Sequence, residues 1–245
     1  IIPYQDDVID NVLRQYDYSM GTHEVLLSGS VGSAKSILMA HLAVRHCLDH
    51  AGARVLLGRQ AMPDLKATIF QKIVEHCEGL GVIRKINMSQ ASIRFKNGSE
   101  IISRSWADRQ FKKMRSLELS MAIIEELTEN DTEDAYREIK MRVGRLPHVP
   151  CKVMISASNP DSPAHWAYKY FIESTAPTRH VYYSVTTDNP FLPPEYIRQL
   201  KEDLDPKMAR RMIYGEWLEI ASEVVYYAYS KEKNYLDKEY VISTK

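Results

Sequence analysis

The stretch EVLLSGSVGSAKSILMAHLAVRHCL (24–48) passes from a short apolar strand, through a glycine-bearing loop, into a long apolar helix. A strand without alternating polarity is buried on both faces, so it demands strands beside it and helices above and below. The loop follows the phosphate-cradling pattern G-x-x-x-x-G-K-[ST] with one departure. Gly29 opens it, Lys35 and Ser36 close it, and Ala34 stands where the second glycine belongs, with Gly32 inside the loop. In such a loop, backbone N–H groups crowd round phosphate oxygens and the following helix presents its positive end. Position 34 lies at the helix entry, where right-handed dihedrals suit alanine, so its methyl is expected to tighten the pocket without abolishing it. Lys35 would bridge β- and γ-phosphates, and Ser36 would hold Mg²⁺.

The rest of the chain continues the alternation. ARVLLG is a second strand and PDLKATIFQKIVEHC a second helix opened by Pro63. MAII (121–124), CKVMISAS and HVYYSVTT are further strands. PYQDDVIDNVLRQY, DTEDAYREIKMRV, PPEYIRQLKEDL and PKMARRMIYGEW carry helical spacing, the second with Asp131 or Thr132 as cap. Between 82 and 104 the period drops to two, and IRFKNGSEIIS is a hairpin turning at Asn97-Gly98. This pattern predicts a mainly parallel sheet covered on both faces, with polar residues collected past the strand carboxyl ends.

Composition bounds the reading. Hydrophobic residues make up 44% of 245, enough for a sizeable core and too many for global disorder. No apolar run approaches the ~20 residues that cross a bilayer. The opening IIPYQ, without methionine, suggests an excised piece. Cys47, Cys77 and Cys151 form no C-x-x-C pair and read as reduced, intracellular core residues. His46-Cys47 with His50, and His76-Cys77, lack a second pair at ligand spacing, which sets a metal site aside. Net charge is zero, yet Arg104, Arg109, Lys112, Lys113 and Arg115 cluster, as do Arg137, Lys140, Arg142 and Arg145, on either side of an acidic 125–134. Solvated helix faces carry such patches too, so they do not by themselves indicate nucleic acid.

Two further strand ends carry chemistry. MAII runs into Glu125-Glu126, and a buried strand ending in two carboxylates needs a positive partner. Mg²⁺ on Ser36 would be that partner, with Glu125 reaching the metal through water and Glu126 polarising an attacking water as general base. ISASNP ends another strand, where Ser158 and Asn159 are placed to hydrogen-bond a γ-phosphate or the catalytic water.

With these motifs in order, the chain resembles the ATPase domain of the large terminase subunit of tailed double-stranded DNA bacteriophages. PYQ (3–5) is similar to that family's upstream adenine-recognition motif, GSVGSAKS to its Walker A, AIIEEL to its Walker B and SASNP to its coupling motif. TTDNPFLPPEYIRQL followed by YGEWLE resembles its lid segment. The resemblance implies an α/β fold: a P-loop NTPase of the additional-strand catalytic-glutamate type. It implies a mainly parallel sheet between helices, an inserted β-hairpin and a small C-terminal helical lid subdomain. The expected divisions are an ATPase core over 1–185, the lid over 186–220 and, over 221–245, a linker towards a nuclease domain that is missing here.

ATP and Mg²⁺ are the implied cofactors. Tyr4 and Gln5 would meet the base, and Gly29, Ser30, Val31, Gly32, Ser33, Ala34, Lys35 and Ser36 would enclose the phosphates. Ser36 and Glu125 would hold the metal, Glu126 would be catalytic, and Ser158 and Asn159 would sense nucleotide state. The implied partners are double-stranded DNA, a portal protein and a small terminase subunit. A homo-oligomeric, pentameric ring would form on the portal from a chain that is monomeric in isolation. The implied location is the host cell cytoplasm, transiently at the procapsid portal, with no membrane involved.

Three departures stand out. Ala34 replaces glycine, Glu125 replaces the more usual aspartate, and Val31 occupies a place where many members carry arginine. The charge-stabilising arginine must then come from elsewhere. Arg115, in KKMRSLELSMAIIEE, is the foremost candidate, expected at the sheet's edge near a subunit boundary, followed by Arg142 and Arg145. The alternative is a helicase-like nucleic-acid translocase, which would need a second similar domain. A GTPase is disfavoured because no N-K-x-D occurs, and a nucleotide-binding scaffold is disfavoured by Glu126.

Overall fold

The strands are β1 (His23–Gly29), β2 (Arg54–Arg59), β3 (Ile83–Asn87), β4 (Ser92–Phe95), β5 (Glu100–Ser105), β6 (Met121–Ile124), β7 (Val153–Ser158) and β8 (Arg179–Ser184). In the computed structural model, which describes residues 2–106 and 114–220, they form one sheet in the order β3-β4-β5-β2-β6-β7-β1-β8. Arg109, Lys112 and Lys113 of the first basic cluster, and the expected linker over 221–245, lie outside the described residues.

From β5 to β8 every pairing is parallel, while β3 and β4 are joined antiparallel at the edge. The expected hairpin is β4–β5, with Ile93 opposite Ile101. Its turn uses Gly98 at φ 86°, a conformation that favours glycine, and Asn97 Oδ1 accepts the Ser99 N–H. β7 lies between β1 and β6, so the strand that feeds the glycine loop and the strand that ends in the two glutamates are separated by one other. This is the additional-strand arrangement.

Among the described residues, stretches of α-helix flank or follow the strands. α1 (Pro3–Asp10) runs into a π-helical turn, and α2 (Lys35–Asp49) follows the glycine loop. α3 (Met62–Leu65) continues through a π turn into α4 (Gln71–Cys77), and α5 (Asp134–Lys140) follows β6. α6 (Trp166–Tyr168), with a π turn after it, precedes β8, and α7 (Pro194–Asp203) and α8 (Pro206–Met212) come last.

Period-2 geometry sorts the strand residues between two cores. Val25, Leu27, Val55, Leu57, Ile123 and Ile155 pack with Leu38, Leu42 and Phe70 on one face. Leu26, Leu56, Ala122, Ile124 and Met154 pack with Tyr136, Ile139 and Phe171 on the other. Each fully buried side chain of this size contributes about 1.5–3 kcal/mol, and double coverage explains why the strands show no polar alternation. The buried Glu24 on β1 is held by Tyr136 Oη at 2.7 Å and Lys140 Nζ at 2.6 Å, which fastens α5 to the sheet.

Two local expectations need correction. Neither Asp131 nor Thr132 caps α5, since Glu133 precedes it without a side-chain cap and the Thr132 hydroxyl goes to Asp134 Oδ2 at 3.0 Å. The helical turns over 166–173 are not evident from the sequence reading, though Trp166, Tyr170 and Phe171 all pack on the second core.

Candidate nucleotide site

Because β1, β2, β6 and β7 run parallel, their carboxyl ends emerge along one edge, and the residues that follow them converge there. Gly29 ends β1 under Ser184 of β8, where any Cβ would collide with that serine's side chain and carbonyl. Gly32 follows at φ 74°. Ala34 lies at φ 64° and ψ 26°, in the left-handed region. The expected right-handed entry is therefore wrong. The loop turns left-handed to bring Lys35 back beneath it, and an L-residue there costs about 1–2 kcal/mol.

What holds that strain is a continuous set of acceptors. Six successive carbonyls, those of residues 29–34, all receive side-chain donors. Lys35 Nζ donates to Gly29 O at 2.6 Å and Ser30 O at 2.9 Å. Thr186 Oγ1 donates to Val31 O at 2.7 Å, and Asn189 Nδ2 to Gly32 O at 2.7 Å. Tyr4 Oη donates to Ser33 O at 2.6 Å, and Gln5 Nε2 to Ala34 O at 3.2 Å. Ser33 Oγ lies between Ser30 O and the Ser184 hydroxyl, and Ser30 Oγ meets Thr186 Oγ1 at 2.9 Å. A left-handed alanine persists because so many contacts over-determine it. Thr186 and Asn189 join the site through a run of polar residues, TTDN, one residue past the end of β8, which is their only sequence signal.

Lys35 is almost enclosed, and its ammonium also reaches Asn159 Oδ1 at 3.1 Å. Burial pulls its pKa down to about 8, against the opposing charge of Glu126. Across β7, Ser36 Oγ donates to Glu125 Oε1 at 3.2 Å. Glu125 is buried, and its second oxygen takes Arg59 at 3.3 Å and the Thr68 hydroxyl. Arg59 also pairs with Glu129 at 2.6 Å. The positive charges facing the carboxylates in this structure are thus Arg59 and Lys35. Arg59 is a site residue that the sequence motifs do not mark, although it ends β2 as Glu125 follows the end of β6. Glu126 turns at φ 47°. Burial raises its pKa, with Lys35 and Arg59 acting in the opposite direction. The Ser36 hydroxyl and a Glu125 oxygen are spaced as two neighbouring ligands of an octahedral cation with bonds of ~2.1 Å, so this pair fits Mg²⁺.

Two cavities adjoin the loop. One, of about 360 Å³, is lined by the loop, Lys72, Glu126, Asn159 and Leu192. The other, of about 250 Å³, is apolar and includes Gln5, Ala34, Ile37, His41, His76 and Phe191. Phe191 is 77% exposed at its mouth. Tyr4 is spent on the loop backbone, while Gln5 both braces the loop and lines the apolar cavity.

Ser158 and Arg115 stand apart from this cluster. Ser158 is fully buried and bonds the Thr128 amide at 3.2 Å and hydroxyl at 2.5 Å, so it faces the segment after β6 rather than the cavity. Arg115 is exposed and lies 3.9 Å from Glu138 of α5. Its neighbours Met114, Leu117 and Leu119 belong to the second core, and β6 is an interior strand. Arg115 therefore stands over a sheet face and not at the sheet's edge. Arg142 is largely buried against Glu138 at 2.5 Å, and Arg145 is exposed.

Comparison with known proteins identifies the family. The profile described as phage terminase large subunit matches residues 22–216, most of the chain and the whole of the site from β1 onward. The chain belongs to the phage terminase large subunit family. The PBSX phage terminase large subunit of Bacillus subtilis (strain 168) is 26% identical over 234 residues, covering 86% of this chain and 51% of that protein. The chain thus spans about half the length of the curated relative it matches. Large terminase from the thermophilic bacteriophage D6E is similar in structure, with a TM-score of 0.74 at 15% identity, over 88% of this chain and 53% of that one. The ATPase domain of the large terminase of Thermus phage P74-26 aligns with a TM-score of 0.63 at 16% identity, over 86% of this chain and 98% of that one. Among the described residues no helix is long and apolar enough to cross a membrane.

Proposed function

We propose that this chain hydrolyses ATP to drive double-stranded DNA into a viral procapsid. The observation that carries the reading is the meeting of Ser36 with Glu125 at 3.2 Å, beside Lys35 and Glu126 and across the inserted strand β7. The triphosphate enters the cavity of about 360 Å³, and Lys35 exchanges the carbonyls of Gly29 and Ser30 for β- and γ-phosphate oxygens. Ser36 and Glu125 would hold Mg²⁺, which would supply charge neutralisation at the phosphates. Glu126 accepts a proton from the water that attacks the γ-phosphorus, and the bond to the bridging oxygen breaks to release ADP. The adenine occupies the apolar cavity of about 250 Å³, between Gln5 and Ile37 and under Phe191.

Asn159 gives up Lys35 when nucleotide arrives, and Ser158, one residue earlier, holds Thr128 in the loop after Glu126. This link is the route by which nucleotide state reaches the rest of the molecule. Residues 1–185 act as the ATPase core, 186–220 as a lid and 221–245 as a linker. Thr186 and Asn189 make the first lid residues part of the phosphate loop's own support. The partners are DNA gripped through its backbone, a portal protein, a small terminase subunit, and further copies in a pentameric ring, all in the host cytoplasm. Arg115, exposed and absent from its own chain's cavity, is offered to a neighbouring copy as the charge-stabilising arginine.

Glu126→Gln tests the mechanism, since the amide keeps the shape but takes no proton. Nucleotide binding should persist while phosphate release stops. Turnover near the wild-type rate would remove Glu126 from the mechanism.

A further inference from the structure

His46, His50 and Cys151 have no part in the nucleotide site, yet the fold gathers them at one point. His46 lies in the last turn of α2, His50 follows its last residue, and Cys151 lies just ahead of β7. One ligand atom from each, two imidazole nitrogens and a sulfur, lies within 4.8 Å of the others. His46 and Cys151 are buried, and His50 is half-buried beside a cavity of about 430 Å³ that reaches Asp49 and Cys151. We propose that these three side chains bind a zinc-class divalent cation that ties the end of α2 to the entry of β7.

The donor set matches that class. Two imidazoles and a thiolate form a borderline-soft site, which suits Zn²⁺ and Co²⁺ far better than Mg²⁺ or Ca²⁺. Positions i and i+4 put both imidazoles on one side of the helix, and their rings lie 4.9 Å apart at 60°, clear of parallel stacking. Bonds of ~2.0–2.3 Å to a tetrahedral ion hold such donors ~3.3–3.8 Å apart. The ligands therefore need to close by about one ångström from the 4.8 Å limit.

His46 Nε2 is held by Ser120 Oγ at 2.8 Å, an outer hydrogen bond that fixes the ring and leaves Nδ1 for the ion. The C-terminal end of a helix also favours a cation. Two arginines line the outer cavity, and each already has a carboxylate: Arg14 with Asp10 at 2.9 Å, Arg45 with Asp49 at 2.6 Å. The fourth position opens to the cavity, for water. Sequence spacing conceals the site because Cys151 is far from the histidines along the chain.

The test is a titration of the reduced, metal-free chain with Co²⁺, without oxygen. One equivalent should give the visible bands of tetrahedral cobalt and a near-ultraviolet thiolate-to-cobalt charge-transfer band, both lost on adding Zn²⁺. Cys151→Ser should abolish the charge-transfer band, whereas Cys77→Ser should keep it. His50→Gln, at the half-buried position, should weaken Co²⁺ binding by at least ~10-fold, a loss that outer-shell changes alone can produce. An unchanged melting point of its metal-free form checks that variant's fold. The proposal is overturned if the folded wild type shows no charge-transfer band, if the band survives Cys151→Ser, or if folded His50→Gln binds cobalt as well as wild type.

Discussion

Ala34→Gly distinguishes the observed loop from the one that local sequence rules would suggest. At φ 64° and ψ 26° an alanine bears about 1–2 kcal/mol that glycine does not. Glycine loses about 0.5–1 kcal/mol of that advantage through the greater freedom of its unfolded chain. The expected net gain is about 0–1.5 kcal/mol with a midpoint of ~0.75, or at the midpoint a rise in melting temperature of ~1.5–3 °C for a chain of this size. The assay is thermal or urea unfolding of the nucleotide-free protein. The strain is present with and without nucleotide while Tyr4, Gln5, Thr186 and Asn189 hold the loop, so it cancels from binding. ATP affinity should stay within about threefold. Ala34→Val, β-branched at a left-handed position, should lose stability instead. In a right-handed loop the sign reverses, because glycine there destabilises relative to alanine. A fall in melting temperature for Ala34→Gly would therefore refute the left-handed assignment and its support by the six bonded carbonyls.

Three further outcomes follow from the site. Lys35 is pulled down to about 8, so nucleotide, which needs the ammonium, should bind progressively more weakly above that pH, by up to about tenfold per unit. The same depression gives unfolding an opposite signature: the unfolded chain holds the proton up to its ordinary value near 10.5, so this group makes stability rise between about 8 and 10.5. An ATP dissociation constant that is flat from pH 7 to 9.5 would contradict the first of these. Phe191→Ala should weaken ATP by about 1–3 kcal/mol through lost base stacking and leave inorganic triphosphate binding unchanged; equal losses for both would move the base elsewhere. Arg115→Ala should bind ATP but fail to hydrolyse it in the assembled ring, and mixing with Glu126→Gln should restore some turnover. Full activity of the Arg115→Ala ring transfers the role to another arginine.

Local order along the chain determined a good deal. Apolar runs of strand length alternating with helical periods specify a doubly covered parallel sheet, because an element buried on all sides needs no other code than hydrophobicity. Lys35, Ser36, Glu125 and Asn159 could be picked out because each follows a strand end, and parallel strands deliver such residues to one edge. Three-dimensional packing decided what depends on residues far apart in sequence. The handedness of Ala34 is imposed by donors from positions 4, 5, 186 and 189. The inward turn of Ser158 comes from Thr128, and the removal of Arg115 from the sheet's edge comes from the interior place of β6. The approach of Cys151 to His46 and His50 is of the same kind. A single hydrogen bond or dihedral contributes about 1 kcal/mol, less than the packing that sets it, so the tertiary contacts overrule the local preference wherever the two conflict.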